Sequence, residues 1–178
     1  MNCGVCGQGL HVPTRGRKPS FCSTRCRVAA HRANRIPAEM LAAPRWLRHD
    51  RKRPITVDGR PASSTDPRTW SDYRTAKAST AGNGLGFALG DGFACLDLDH
   101  CLVFGIPDSL ARSILDATTD AYAEVSLSGD GLHIFGTAPE MRGRKSHGIE
   151  AYSAGRFIAV TGTTHRAGQL VDLSPFWE

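Results

Sequence analysis

The second half of the chain carries three pairs of short apolar segments, each pair separated by a tight-turn signal. The pairs are GLGFALG and FACLDLD around Asp-Gly, AEVSL and LHIFG around SGDG, and HGIEAYS and RFIAVTG around Ala-Gly. Short apolar runs joined by such turns are typical of β-hairpins. A helix is predicted over residues 107–122, where Pro107 and Asp108 precede apolar residues at helical spacing. Three hairpins with one or two helices predict an α+β fold with a largely antiparallel sheet.

The segment FACLDLDHC, residues 93–101, places two aspartates in an otherwise apolar run. Residues i and i+2 of a strand share a face, so Asp97 and Asp99 are expected to project together. Two carboxylates that close repel each other, and burial increases the cost. A divalent cation that prefers oxygen ligands, Mg2+ or Mn2+, would offset this repulsion. The alternative is a chance or structural pair, because D-x-D is a common pattern.

The turn SLSGDGLH, residues 126–133, has the composition of an anion-binding loop. Its backbone N–H groups around Ser128 and Gly129 could bind a phosphate. His133 begins the next strand, where it could donate to the same phosphate. The alternative is an ordinary glycine-rich hairpin with an exposed histidine.

The segment GRKSHGIEAYSAGRF, residues 143–157, contains a third acid within an apolar strand, Glu150. Together with Asp97 and Asp99 it would complete a set of three carboxylates of the kind that two-metal nucleotidyl transfer uses. The alternative role for Glu150 is a salt bridge with Arg156 across the predicted hairpin.

Four of the six cysteines lie within the first 26 residues, in the pattern C-x2-C, fifteen residues, C-x3-C. These are Cys3, Cys6, Cys22 and Cys26. Two close pairs around a basic loop predict a tetrahedral thiolate site for a structural Zn2+ with no open ligand position. A segment this small could hardly fold without its metal. The alternative is four free thiols at chance spacing.

Basic charge is concentrated at the N-terminal end of the chain. Residues 1–53 hold 12 lysines and arginines against two acids, whereas residues 54–178 hold 10 against 15. This asymmetry predicts that a basic, polyanion-binding segment is joined to a mildly acidic domain with another function. The alternative is that the basic residues only form a solvated surface. A short helix is predicted over STRCRVAAHRANR with Ser23 as N-cap. Its arginines would suit sequence-independent phosphate contacts with DNA: Arg25, Arg27, Arg32 and Arg35.

The sequence contains no stretch that approaches 18 uninterrupted apolar residues, so we expect no membrane-spanning segment and no membrane partner. The N-terminus MNCGVCGQGL lacks the basic-then-apolar layout of a signal peptide. A cytoplasmic location is therefore expected, in which cysteines are reduced or metal-bound rather than paired in disulfides.

The motifs DLD, SxSGxGLHIF and GIExYxxGRFxxVTG, in this order, resemble those of the archaeo-eukaryotic primase superfamily. The greatest similarity is to the phage and plasmid-borne primase-polymerases, often described as bifunctional DNA primase/polymerase. The upstream segments SSTDPRTWSDY and GLGFALGDGFACLDLDH look like the N-terminal half of the same group, so the resemblance covers roughly residues 44–162. It implies an RRM-like catalytic core beside an N-terminal α/β module.

The resemblance also implies roles for individual residues. The catalytic Mg2+ or Mn2+ ligands would be Asp97, Asp99 and Glu150. The residues for the triphosphate of the incoming nucleotide would be Ser128, Gly129 and His133, with Lys145, His147 and Arg156 as further phosphate contacts.

The activity implied is metal-dependent primer synthesis, or DNA extension, on a single-stranded DNA template from NTPs or dNTPs. The expected organisation is a zinc-binding basic module at 1–36, a linker at 37–43 and a catalytic domain at 44–178. Many relatives continue into a helicase, so a separate helicase is an expected partner, and a phage-encoded protein would act in the host cytoplasm. Two alternatives are a catalytically inactive zinc-finger DNA-binding replication accessory protein and a repair-type nucleotidyltransferase.

Overall fold

The computed structural model describes residues 1–3, 5–11, 13–14, 16, 18–33, 36–146 and 148–178, without the side chains of 29–33. The chain divides into two compact units, Met1–Arg35 and Ile36–Glu178, here called the head and the body. No helix among the described residues is both long and apolar enough to cross a membrane.

The described part of the head contains one helix, α1 (Thr24–Ala33), and a short bridge between Asn2 and Gly9. The predicted N-cap is present, because the Ser23 hydroxyl accepts a hydrogen bond from the Cys26 backbone N–H at 3.2 Å. This bond satisfies one of the N–H groups that the first helical turn leaves unpaired. The cap therefore fixes where the helix begins, immediately beside the second cysteine pair.

Over residues 36–146 and 148–178 the body combines three helices with thirteen strands. The helices are α2 (Ala38–Ala42), α3 (Tyr73–Ala78) and α4 (Ser109–Ala117). The strands are β1 (Trp46–Asp50), β2 (Arg53–Ile55), β3 (Gly84–Ala88), β4 (Phe93–Leu98), β5 (Leu102–Val103), β6 (Ile106–Pro107), β7 (Tyr122–Val125), β8 (Leu132–Thr137), β9 (Arg144–Ser146), β10 (Ile149–Tyr152), β11 (Phe157–Val160), β12 (Thr164–Arg166) and β13 (Val171–Asp172). Short 3-10 turns cover Pro67–Thr69 and Ser174–Trp177.

Two sheets account for most of these strands. The smaller sheet has the order β11-β3-β1-β2, and the larger has the order β12-β7-β8-β4-β10-β9, with β13 added to β8. Neighbours are antiparallel except for β13, which runs parallel to β8, and β5 and β6 form a separate antiparallel pair. The predicted α+β class with largely antiparallel sheets is confirmed.

Two of the three predicted hairpins are wrong. The SGDG turn does join a paired hairpin, β7 with β8. In contrast, β3 pairs with β1 and β11 while β4 pairs with β8 and β10, so the turn at 90–92 carries the chain from one sheet to the other. The turn at 153–156 does the same between β10 and β11. Turn residues predict a reversal of direction, but burial elsewhere decides which strand edge the next segment joins.

One face of the larger sheet is apolar and packs against α4. Leu96 and Leu98 of β4 and Ile134 of β8 share a buried cluster with Ala111 and Ile114 of the helix. The helix is shorter than the 107–122 predicted, beginning after the Asp108 cap, which accepts from the Ala111 N–H at 2.8 Å. Alternate residues of β4 and β8 must point to the opposite face.

That opposite face packs against the smaller sheet. Cys95 of β4 and Phe135 of β8 share a second buried cluster with Trp46 and Phe87 of the smaller sheet. Met40 of α2 is also fully buried in this cluster, and its carbonyl accepts from the indole N–H of Trp46 at 2.8 Å. The helix within the expected 37–43 linker therefore contributes to the body's core. Two residues beyond Cys95, the same face of β4 becomes polar at Asp97.

Candidate active site

A row of polar residues crosses six strands of the larger sheet at directly opposed positions. Asp97 is opposite Glu150 on one side and His133 on the other, and His133 is in turn opposite Glu124. The members of this polar row, in order across the sheet, are Lys145, Glu150, Asp97, His133, Glu124 and Thr164. Directly opposed residues of antiparallel strands share a face, so segments far apart in sequence meet here.

A cleft of about 410 Å3 lies along this row and is lined by both sheets of the body. The predicted site residues that line it are Asp97, Asp99, Ser128, His133 and Arg156. Glu150 is next to Asp97 by strand register, and Lys145 is next to Glu150, but neither is part of the lining. The cleft volume falls within the range of small-molecule sites.

The two aspartates differ in their environments. The Asp97 side chain is 23% exposed, whereas Asp99 is exposed one residue beyond the end of β4. Burial raises the pKa of Asp97 above its usual value, with further increases from the Asp99 and Glu150 carboxylates and an opposing effect from His133. The ionised form of Asp97 is therefore costly unless a positive charge comes near it.

The Glu150 carboxylate is surrounded by donors. It accepts from the Lys145 ammonium and the Tyr152 hydroxyl, and the Arg156 guanidinium lies 3.9 Å away. Lys145 and Tyr152 lower the pKa of Glu150. The salt bridge considered as an alternative role is thus present, with Lys145 as the nearer cation. Among the described residues, Asp97, Asp99 and Glu150 do not form a compact set of ligand atoms as the four cysteines do.

The glycine-rich loop between β7 and β8 is closed by its own backbone. The Ser126 N–H donates to the Gly131 carbonyl at 2.9 Å, and Gly129 adopts a φ of +86° that favours glycine. The Ser128 hydroxyl donates to the Asp130 carboxylate, which also contacts the His100 imidazole at 2.6 Å. His100 follows Asp99 directly, so this contact connects the loop to the segment that bears the two aspartates.

His133 lies between two carboxylates. Its Nε2 is 3.6 Å from Asp97 Oδ1, and its Nδ1 is 3.5 Å from Glu124 Oε1. Glu124 is fully buried in β7 and was missed by the sequence analysis. A charged residue within the apolar run AYAEVSL was the available signal, and it is the same signal that identified Glu150.

Lys52 and Tyr152 also line the cleft and were not predicted. Arg51 and Lys52 form the two-residue turn between β1 and β2, and both adopt positive φ angles, 47° for Arg51 and 64° for Lys52. Tyr152 stacks beneath the Arg156 guanidinium at 4.4 Å and accepts a hydrogen bond from it at 2.6 Å. The basic run RKR was the sequence signal for Lys52.

The four head cysteines form a compact cluster whose sulfur atoms all lie within 4.8 Å of one another. The sulfurs of Cys6 and Cys22, and of Cys22 and Cys26, are 3.5 Å apart, and all four residues are free thiols. Four sulfurs at 2.3 Å from one ion would be roughly 3.8 Å apart. Hydrogen bonds within the cluster move two thiol pKa values in opposite directions: backbone N–H groups of Cys6 and Cys22 lower the pKa of Cys3, and the Cys6 and Cys26 thiols raise that of Cys22. The cluster therefore fits a tetrahedral thiolate site.

Two of the predicted DNA-binding arginines can be placed. Arg25 and Arg27 are exposed on α1, and Arg27 donates to the Thr24 hydroxyl at 3.3 Å. The side chain of Arg32, and the whole of Arg35 and His147, lie outside the described residues.

Comparison with known proteins gives one informative similarity. The chain is 38% identical, over 59% of its length, to a protein named DNA Primase-polymerase from Nitratiruptor phage NrS-1. The match covers 16% of that relative, so the chain spans about a sixth of its length. No family model matches the chain. The similarity supports the resemblance to primase-polymerases that the motifs indicated.

Proposed function

We propose that the body is the catalytic domain of a primase-polymerase, which transfers nucleotides from NTPs or dNTPs to a primer on a single-stranded DNA template. The observation that carries this proposal is the polar row, where acids from β4 and β10 meet His133 beside a nucleotide-sized cleft. The phage relative supports the same activity through its name. The larger sheet, with β4 at its centre, would be the RRM-like core.

Asp97, Asp99 and Glu150 would hold the catalytic Mg2+ or Mn2+. These residues fit such a cation because all three are carboxylates, whose oxygens are its preferred ligands. The raised pKa of Asp97, caused by burial and by its two acidic neighbours, also means that a positive charge would be favourable there. When bound, the cation would promote ionisation of the attacking 3′-hydroxyl and offset charge on the departing pyrophosphate. Glu150 would exchange its contact with Lys145 for this ligand role.

The other predicted residues would bind the triphosphate. Ser128 and His133 line the cleft and Gly129 follows Ser128 in the same loop, so hydroxyl, imidazole and backbone donors are available there. Arg156, Lys145 and His147 are proposed as further phosphate contacts. None of these residues needs to form a covalent intermediate, because phosphoryl transfer depends mainly on positioning and charge stabilisation.

The head would bind a structural Zn2+ through its four cysteines and contact DNA phosphates through the arginines of α1. A helicase acting with this protein would be a separate partner. Both assignments are extensions of the proposed activity, and they give the head no part in the chemical step.

The test is primer synthesis on circular single-stranded DNA with NTPs or dNTPs and Mg2+ or Mn2+. The double variant Asp97→Asn/Asp99→Asn should lose product while it retains DNA binding. Asp58→Asn/Asp116→Asn, which removes two exposed acids outside the cleft, should match wild type.

Each other outcome is informative. Product from the Asp97→Asn/Asp99→Asn protein would refute the metal-ligand assignment. Extension of an annealed primer without initiation would indicate a polymerase only. If no product forms on single-stranded DNA or on a primed template, the inactive DNA-binding alternative would be favoured.

A further inference from the structure

Glu124 is a fully buried carboxylate in the polar row to which the proposed reaction gives no role. It is neither a proposed cation ligand nor a residue that lines the cleft. Burying a carboxylate is costly unless several donors satisfy it, so its retention inside β7 requires compensating contacts.

Three donors hold the Glu124 carboxylate in place. The Thr161 N–H donates to Oε1 at 3.0 Å, the Gly162 N–H donates to Oε2 at 3.0 Å, and the Tyr122 hydroxyl donates to Oε2 at 3.1 Å. Thr161 and Gly162 follow β11 of the smaller sheet, so the carboxylate is fixed from both sheets. Such an arrangement leaves the position of Oε1, and hence of its contact with His133, well defined.

The other partner of Glu124 is His133. Nδ1 of the imidazole is 3.5 Å from Oε1, while Nε2 is on the Asp97 side, 3.6 Å from Oδ1. A carboxylate that already receives three donors can only accept from the imidazole, so the hydrogen at this contact belongs to Nδ1. The hydrogen-bond partner of one ring nitrogen determines the tautomer of the imidazole and the direction in which the other nitrogen points.

We propose that Glu124 is a positioning residue that fixes the His133 ring with Nδ1 protonated and Nε2 facing the cleft. This inference rests on the proposed function, because Nε2, which donates a hydrogen bond only when the ring carries both protons, would there contact the triphosphate of the incoming nucleotide. Glu124 itself touches neither nucleotide nor cation. Glu124 would therefore affect nucleotide affinity only by controlling the position and protonation of His133.

The first test needs only the wild-type protein. Nitrogen-15 NMR of the histidine rings should show His133 with a proton on Nδ1, assigned by comparison with the His133→Ala variant. A neutral ring protonated only on Nε2 would overturn the proposal. This measurement is independent of any enzymatic activity and of whether a Glu124 variant folds.

The second test is a double-mutant cycle on nucleotide affinity. Glu124→Gln should weaken dNTP binding, measured by titration calorimetry with the divalent cation present, by about tenfold. In the His133→Ala background the same change should have no further effect. Additive losses would overturn the proposal, because a purely structural role does not depend on His133.

Tyr122→Phe is the matched control for this cycle. It removes one donor to Glu124 while it leaves the Glu124–His133 contact in place, so affinity should remain within about twofold of wild type. Failure of wild type to bind any nucleotide would overturn the proposed function together with the role of Glu124 in binding. The NMR result would still decide whether the His133 imidazole carries a proton on Nδ1, as its contact with Glu124 requires.

Discussion

Asp97 lies between two other polar residues of the row, and its charge is unfavourable there in the absence of a cation. Its pKa is raised in the folded body, mainly by burial. A raised carboxyl pKa means that the folded state takes up protons more readily than the unfolded chain, so ionised Asp97 destabilises the fold and this penalty disappears as the pH falls. Function and stability are therefore opposed at this position.

We expect Asp97→Asn to raise the melting temperature of the protein in EDTA while it lowers synthesis about 100-fold or more. Thermal unfolding should show the difference clearly at pH 8. The difference should shrink toward pH 5, as protonation removes the charge from wild type. Asp58→Asn, which changes an exposed acid, should shift the melting temperature little. A melting temperature of Asp97→Asn at or below that of wild type at pH 8 would contradict this prediction.

Local spacing in the sequence singled out several residues that line the cleft, while their roles stay a prediction. D-x-D predicted that Asp97 and Asp99 would lie together, and both line the cleft. Glu124 was missed although its apolar run was a usable signal, and its partners Thr161 and Gly162 could not be predicted because they follow a strand of the other sheet, 37 and 38 residues away. A contact of that range depends on which strands pair, and no local pattern encodes it.

At the level of elements, the turn between β1 and β2 uses residues that its backbone does not favour. Two-residue hairpin turns with positive φ at both positions prefer Asn-Gly, yet Arg51 and Lys52 occupy them here. Unfavourable backbone conformations are typical of functional positions. Lys52 lines the same cleft as Asp97 and Asp99, which connects this turn to the candidate site.

Replacing this turn by Arg51→Asn/Lys52→Gly should raise the free energy of unfolding by about 1 kcal/mol, because Asn and Gly tolerate the left-handed region. The same protein should bind dNTP several-fold more weakly, because a cation near the phosphates is lost. Urea denaturation and nucleotide titration measure the two effects. Arg51→Asn alone is the control, since it keeps Lys52. Unchanged nucleotide affinity in the double variant would exclude Lys52 from the site.

Helix starts were predicted better than strand pairing. Asp108 and Ser23 were recognised as helix starts, and both cap their helices through side-chain oxygens. The turns at 90–92 and 153–156 were mistaken for hairpins because Gly-containing turns look alike whether the next strand returns or leaves. These turns do not form hairpins because both edges of β4 pair with β8 and β10 and both edges of β3 pair with β1 and β11.

For the whole molecule, the two units differ in what stabilises them. The body has two extensive apolar clusters, whereas the head has one helix and a cluster of four thiols. A unit of 35 residues cannot bury enough apolar surface to fold unaided, so a metal is expected to provide its stability. The cysteine spacing alone was sufficient to predict this cluster.

The purified protein should contain about one zinc per chain, measured by plasma mass spectrometry. Its removal with a strong chelator should collapse the amide NMR signals of the head and leave those of the body dispersed. Affinity for single-stranded DNA should fall, and its dependence on salt should weaken as the phosphate contacts of α1 are lost. Cys26→Ser should reproduce both effects, with Cys101→Ser as the control. Dispersed head signals after chelation would contradict the zinc assignment.

The turns at 90–92 and 153–156, which carry the chain from one sheet to the other, affect the order in which the sheets can form during translation. The smaller sheet begins with β1 but is completed only by β11, after the central strands of the larger sheet have been added. During synthesis on a ribosome, the smaller sheet therefore cannot close until Val160 has left the exit tunnel, and the larger sheet gains its edge strand β12 only after that. The first 150 residues emerge with β3 lacking its second neighbour. Nascent chains of this protein would thus expose unpaired strand edges, to which other chains can pair, until the last strands have been made.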